Sequence, residues 1–231
     1  MLIGILQCGH FPDELQGEVG DYGDIYQRFL ADQGFDFAVY PVCDGTFPDG
    51  PTACDGWLIS GSKHGAYEDL PWIPRLEALI RDIRDSQRPL VGICFGHQII
   101  AQALGGHVAK FDGGWAIGRT AYHMVTDAPF DGDLWLNAWH QDQILRLPEG
   151  ARLLASSDTC RNAVVAYGDQ ILTMQPHPEF NAPELSGLLQ IKGVEVLSKA
   201  EMAKAQADLA RPVDNARLAR HVADFFQKVP T

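Results

Sequence analysis

The segment Gly92-Ile93-Cys94-Phe95-Gly96-His97-Gln98 constrains the fold more than any other part of this chain. A strand-like run over residues 88–94 feeds straight into a helix-like run over residues 95–104, with glycines two positions either side of the cysteine. A strand-to-helix turn that sharp leaves no space for neighbouring Cβ atoms, and the two glycines remove them. The turn lifts the thiol out of the chain and aims the positive end of a helix at it. That environment favours thiolate, the nucleophilic form of cysteine. The same residues also suit a small buried cysteine at a tight turn, so the segment by itself leaves both readings open.

Strand and helix patterns alternate through the first half of the chain. Apolar runs predict strands at 2–6, 37–40, 56–60 and 90–93, and helices at 22–33, 73–86 and 95–104, the outer two closed by Gly34 and by Gly105-Gly106. This βαβα succession implies an α/β fold, a mainly parallel central sheet flanked by helices. The second half changes character. Residues 118–126, 151–156, 163–167 and 170–174 read as short strands forming a small antiparallel region, with a hairpin signal at Gly168-Asp169. From 183 to 228 the pattern is helical, and Pro212 starts or interrupts a final helix. No Pro-, Gly- or Ser-rich linker divides the chain, so one domain over residues 1–231 is expected, with 190–231 as a helical extension.

A chain of 231 residues can bury a large core. Its net charge of -12 argues against nucleic acid and against an anionic membrane surface as partners. No apolar run approaches the roughly 18 residues of a membrane span, and the opening apolar stretch is too short and uncharged for a secretory signal. The five cysteines are scattered, and none forms a C-x-x-C pair, so spacing suggests neither a structural zinc site nor a redox pair. A cytoplasmic protein with reduced thiols is the expectation.

A catalytic thiol needs a base, and the base needs a group to orient it. His177 follows an apolar run and lies in Pro176-His177-Pro178-Glu179, where the prolines bias the backbone toward extended geometry. In extended chain, residues two apart project to one side, which brings Glu179 within reach of the imidazole. A loop after a third strand, Ser60-Gly61-Ser62-Lys63-His64, offers backbone N–H groups for an oxyanion, together with the N–H of Phe95. Read alone, that loop is equally compatible with phosphate binding or an ordinary turn.

Taken in order, Gly92 to Gln98, the Gly61-Ser62 loop, Trp139-His140-Gln141-Asp142 and Gln175-Pro176-His177-Pro178-Glu179 resemble the class I glutamine amidotransferase family, over roughly residues 1 to 190. The set is most similar to stand-alone members, the GMP-synthase-like amidotransferases and plant γ-glutamyl peptidases. The resemblance implies a flavodoxin-like fold and a cysteine-dependent γ-glutamyl hydrolase. It makes Cys94 the nucleophile, His177 the general base and acid, and Glu179 the residue orienting His177. It further implies that Gln98 contacts the glutamyl group, and that Gly61, Ser62 and Phe95 supply oxyanion-hole and substrate-binding amides. His140, Gln141 and Asp142 would cradle the α-amino and α-carboxylate end. No metal or cofactor is called for.

Two departures stand out. Many members carry Gly-Gly-Pro in the oxyanion loop, where this chain has Gly61-Ser62-Lys63, and Trp139 replaces a small polar residue before the histidine. The expected substrate is a small γ-glutamyl amide, either hydrolysed outright or used to supply ammonia to a separate synthetase chain. A non-catalytic binding or regulatory protein of the same fold is the contrasting reading. An α/β-hydrolase shares the elbow, but there the histidine follows the acid, whereas here His177 precedes Glu179. Cys8 and His10 should end the first strand near the sheet's carboxyl edge, His97 reads as support rather than base, and Trp57, Trp72, Trp115 and Trp135 read as core or lid residues.

Overall fold

A computed structural model of the chain describes residues 1–125, 128, 130 and 132–228. The strands are β1 (Leu2–Gln7), β2 (Asp36–Pro41), β3 (Gly56–Ile59), β4 (Leu90–Ile93), β5 (His107–Lys110), β6 (Ala116–Met124), β7 (Leu134–His140), β8 (Asp142–Arg146), β9 (Ala151–Ser156), β10 (Val164–Tyr167) and β11 (Ile171–Met174). The helices are α1 (Asp13–Val19), α2 (Tyr22–Phe29), α3 (Trp72–Asp85), α4 (Phe95–Ala103), α5 (Ala182–Leu188), α6 (Val194–Val196), α7 (Lys199–Asp208) and α8 (Asn215–Lys228). Among the described residues, no helix is long and apolar enough to cross a membrane.

Nine strands form one sheet in the order β2-β1-β3-β4-β11-β10-β9-β6-β7, and β5 pairs with β8 apart from it. From β2 to β11 the neighbours run parallel; from β11 outward they run antiparallel. The antiparallel strands thus extend the parallel sheet, because the hairpin at Gly168 (φ +59°) returns the chain beside β10 while β11 slots parallel to β4. Both faces of β1, β3, β4 and β11 are buried, which is why they read as short unbroken apolar runs, whereas the edge strand β2 stays partly exposed. Alternate residues divide between two core clusters: Ile3, Ile5, Leu58, Val91 and Ile93 pack with α2 and α8, while Leu6, Trp57, Ile59 and Leu90 pack with α3 and α4.

The sequence expectations meet the structure well where both faces are covered and less well elsewhere. The helix expected over 22–33 ends at Phe29, followed by a 3-10 turn, Ala31–Gln33, before Gly34 in the left-handed region. The strand expected over 118–126 begins earlier, at Ala116, and ends at Met124; Thr126 lies outside the described residues, as do the last three of the span 190–231. β5, β7, β8 and α1 were not anticipated. β7 carries buried Asn137 and His140 among its apolar residues, and α1 buries only Val19, so neither shows a clean hydrophobic period. The helical C-terminal stretch is broken by a π-helical turn (Leu189–Gly193) and by an extended Leu197, and Pro212 sits in the link before α8 rather than inside a helix.

The parallel order has one consequence for chemistry. β1, β3, β4 and β11 all end at the same edge, so the segments after them, at Cys8, Ser60, Cys94 and Gln175, are neighbours although far apart in sequence. In open α/β sheets that carboxyl edge is where ligands bind.

Candidate active site

Cys94 joins β4 to α4 with φ +54° and ψ -104°, one of two non-glycine residues with positive φ among those described. Holding a side chain there costs on the order of 1–3 kcal/mol, which the surroundings must enforce. They do so by hydrogen bonds and by shape. Cys94 N–H donates to the Met174 carbonyl (2.9 Å), and the Cys94 carbonyl accepts from Gln98 N–H (3.1 Å). A Cβ on Gly92 would lie 2.6 Å from the Gly96 carbonyl oxygen, and one on Gly96 only 2.3 Å from the Ile59 carbonyl oxygen. The turn therefore tolerates nothing larger than hydrogen at either flank. The thiol is mostly buried and lies 4.0 Å from the Trp139 carbonyl oxygen.

His177 stands beyond β11, its backbone bridged to β7 by a hydrogen bond from His177 N–H to the Asn137 carbonyl (2.8 Å). Its ring stacks on Phe180 at 4.1 Å and 4°. Nδ1–H donates to Glu179 Oε1 at 2.6 Å, with both side chains buried. The contact does not come from extended chain as the prolines suggested: residues 177–180 make a turn, closed by Phe180 N–H on the His177 carbonyl (3.3 Å). Burial opposes a charged His177. The charges of Glu179 and Cys94, with the hydrogen bond to Glu179, outweigh it and push the imidazole pKa up to about 10. Cys94 is near enough to act on the ring in this way, yet Nε2 has no partner in strict hydrogen-bond geometry among the described residues. Such looseness is common in ligand-free catalytic pairs.

Tyr26, on α2, was not singled out in sequence. Its hydroxyl donates to Glu179 Oε1 (2.8 Å) and accepts from Gly61 N–H (3.2 Å). Burial and the Glu179 charge keep that hydroxyl protonated, its pKa raised well above the usual value. The chain Gly61–Tyr26–Glu179–His177 thus ties the loop after β3 to the imidazole. The Gly61 amide is thereby taken, whereas Phe95 heads α4, where helix amides have no partner within the helix. A Cβ on Gly61 would come 3.2 Å from the His177 ring and 3.4 Å from Tyr22.

Gln98, one turn into α4, is buried and donates to the Asp142 carbonyl (2.9 Å) and to Gln175 Oε1 (3.2 Å). His140 is also buried, and burial first, then its neighbours His177 and His97, push its pKa down to about 3. Gln141 is bonded to Phe111 through both its side chain (3.3 Å) and its carbonyl (3.2 Å). Asp142 is half-buried; burial raises its pKa, while a hydrogen bond from the Tyr67 hydroxyl opposes the rise.

His97 is fully enclosed, with Nε2 on the Asn162 carbonyl (2.9 Å) and Nδ1 on Thr173 Oγ1 (2.7 Å). A carbonyl only accepts, so Nε2 carries the proton and the ring is neutral, its pKa pushed down to about 3 by burial. Trp57 and Trp72 are buried. Trp115 lies against Trp139, whereas Trp135 is exposed and covered by Arg119 at 3.8 Å, so it belongs to neither core nor lid.

The chain belongs to the glutamine amidotransferase class-I family, whose model matches residues 21–189. It is 34% identical over 207 residues to γ-glutamyl peptidase 5 of Arabidopsis thaliana, covering 84% of this chain and 82% of that one. It is 31% identical over 175 residues to the glutamine-hydrolysing GMP synthase of Thermotoga maritima, covering 72% of this chain but 32% of the synthase. Among solved structures, a glutamine amidotransferase from Methylobacillus flagellatus superposes with a TM-score of 0.79 at 25% identity, over all of this chain and 95% of that one.

Proposed function

We propose that this protein hydrolyses the γ-glutamyl amide bond of a small molecule through a thioester on Cys94, releasing glutamate and an amine or ammonia. The observation that carries the reading is the pairing of a strained, helix-capping Cys94 with a buried imidazole held by Glu179 at 2.6 Å. Its thiolate attacks the γ-carbonyl carbon, and the developing oxyanion is met by the N–H groups of Ser62 and Phe95. The imidazolium of His177 gives its proton to the departing amine; the neutral imidazole then takes one from water, which attacks the thioester and frees glutamate. Glu179 supports the imidazolium through both steps. Gln98 fixes the glutamyl chain, and the backbone around His140, Gln141 and Asp142 receives its α-amino and α-carboxylate end.

Similarity to plant γ-glutamyl peptidases over most of both chains favours a self-sufficient hydrolase. Similarity to only a third of a GMP synthase favours a second reading, a glutaminase that supplies ammonia to a separate synthetase chain. Free glutamate measured with the isolated protein on glutamine, γ-glutamyl dipeptides and glutathione conjugates separates them. Turnover of γ-glutamyl peptides by the isolated protein supports the hydrolase. Activity confined to glutamine and dependent on an added synthetase supports the second reading.

A further inference from the structure

We propose that His10, Cys43 and Asp44 form a binding site for a divalent transition-metal ion of the zinc class, apart from the Cys94 centre. His10 follows β1, and Cys43 and Asp44 occupy the 3-10 turn Val42–Asp44 after β2. β1 and β2 are parallel neighbours in register Gln7↔Pro41, so both chains leave the sheet side by side. His10 Nε2 lies 3.0 Å from Asp44 Oδ2 and 3.8 Å from Cys43 Sγ, which in turn lies 3.8 Å from Asp44 Oδ1. A tetrahedral zinc ion with ordinary Zn–N, Zn–O and Zn–S bonds sets its ligands about 3.3–3.6 Å apart, and one ligand atom from each of the three residues already lies within 4.8 Å of the others, so side-chain adjustment alone brings them onto one ion.

The histidine is already positioned as a ligand. Its Nδ1–H donates to Asp21 Oδ2 at 2.6 Å, and Asp21 is itself fixed by Gln7 Nε2 (2.8 Å), Phe11 N–H (2.8 Å) and Tyr22 N–H (2.7 Å). A carboxylate on the far nitrogen is the usual outer support of a metal-bound imidazole, turning the Nε2 lone pair outward. Without a metal, Nε2–H donates to Asp44 Oδ2 at 3.0 Å; a metal ion would take the place of that proton between imidazole and carboxylate. Thiolate, imidazole and carboxylate together favour zinc, cobalt or nickel over magnesium or calcium. His10 and Asp44 remain partly exposed, which leaves a position for water and a path for the ion. Binding exchanges the Cys43 thiol proton for the metal and releases it to solvent. Spacing hides the site, since His10 and Cys43 are 33 residues apart.

The position also has a mechanical consequence. Cys8 accepts a hydrogen bond from Ser62 Oγ (2.7 Å), and Gly9 packs on Ser62, so an ion here would pin the β1 and β2 connections beside the loop after β3.

The test is a Co2+ titration of the metal-free protein carrying Cys94→Ser, which removes the competing thiol and makes the readout independent of catalysis. The expected result is a 1:1 complex with tetrahedral d–d bands and a thiolate-to-cobalt charge-transfer band, displaced by Zn2+. The charge-transfer band should vanish on adding Cys43→Ser, and affinity should fall at least tenfold with His10→Ala or Asp44→Ala, circular dichroism being unchanged. No thiolate-to-cobalt band, or one indifferent to Cys43→Ser, would overturn the proposal and leave His10 as an imidazolium held between two carboxylates.

Discussion

Replacing Glu179 by glutamine probes the relation between burial and charge at the centre of this site. Glu179 Oε1 accepts hydrogen bonds from both His177 and Tyr26, and Oε2 is buried without a hydrogen-bond partner among the described residues. Glutamine keeps an acceptor at Oε1 and nearly the same volume, so the fold should survive, but its amide group would be left unpaired and its charge is gone. Hydrogen bonds to charged groups contribute about 1.5–3 kcal/mol against about 0.5–1.5 for neutral ones, so support for the imidazolium should fall by about 1–2 kcal/mol. That corresponds to a loss of roughly 5- to 30-fold in kcat/KM. With the carboxylate gone, burial has less to oppose it, and the His177 pKa should drop clearly from about 10. NMR titration of the His177 ring, run beside kcat/KM for γ-glutamyl substrate across pH, measures both. An unchanged pKa together with an unchanged rate would refute the reasoning.

Tyr26→Phe removes the hydroxyl that links Gly61 to Glu179, and the expected loss is about tenfold in kcat/KM with the fold retained, measured by steady-state kinetics and circular dichroism. Gly96→Ala places a methyl group 2.3 Å from the Ile59 carbonyl oxygen, so strands must part; a cost of about 3 kcal/mol, or roughly 6–12 °C in Tm, is expected by calorimetry. His177 has a folded-state pKa raised from 6.5 to about 10, so its contribution to stability is fully present below about pH 6.5 and is lost as pH rises through about 10. Urea unfolding at pH 6, 8 and 10 should show that decline in the wild type and a flatter profile in Glu179→Gln.

The parallel half of the sheet was legible because strands buried on both faces are short and uniformly apolar, and because glycine closes α4 so clearly. β7 was not, since its inward-facing Asn137 and His140 interrupt the pattern; Asn137 is spent on orienting the segment around His177 through the His177 amide and, from Nδ2, the Phe180 carbonyl (2.9 Å). The elbow and the His177-Pro178-Glu179 run announced themselves through local spacing. Tyr26 did not, because on an amphipathic helix an inward tyrosine reads as core, and only the tertiary approach of α2 to Glu179 gives its hydroxyl a partner. Asp21 and Asp44 were equally silent: each is an ordinary cap or turn residue until the start of α2 and the turn after β2 bring them to the two nitrogens of His10. Local motifs are written in sequence, whereas side chains that support them from other elements depend on the assembled sheet.

The most direct measurement is mass spectrometry of the intact protein quenched in acid during turnover of a γ-glutamyl amide. The expected result is a glutamyl adduct that maps to Cys94, accumulates in a burst and disappears on chase, with Cys94→Ala showing neither adduct nor glutamate release. Glutamate release by Cys94→Ala at the wild-type rate, or an adduct on another residue, would contradict the assignment of Cys94 as the nucleophile.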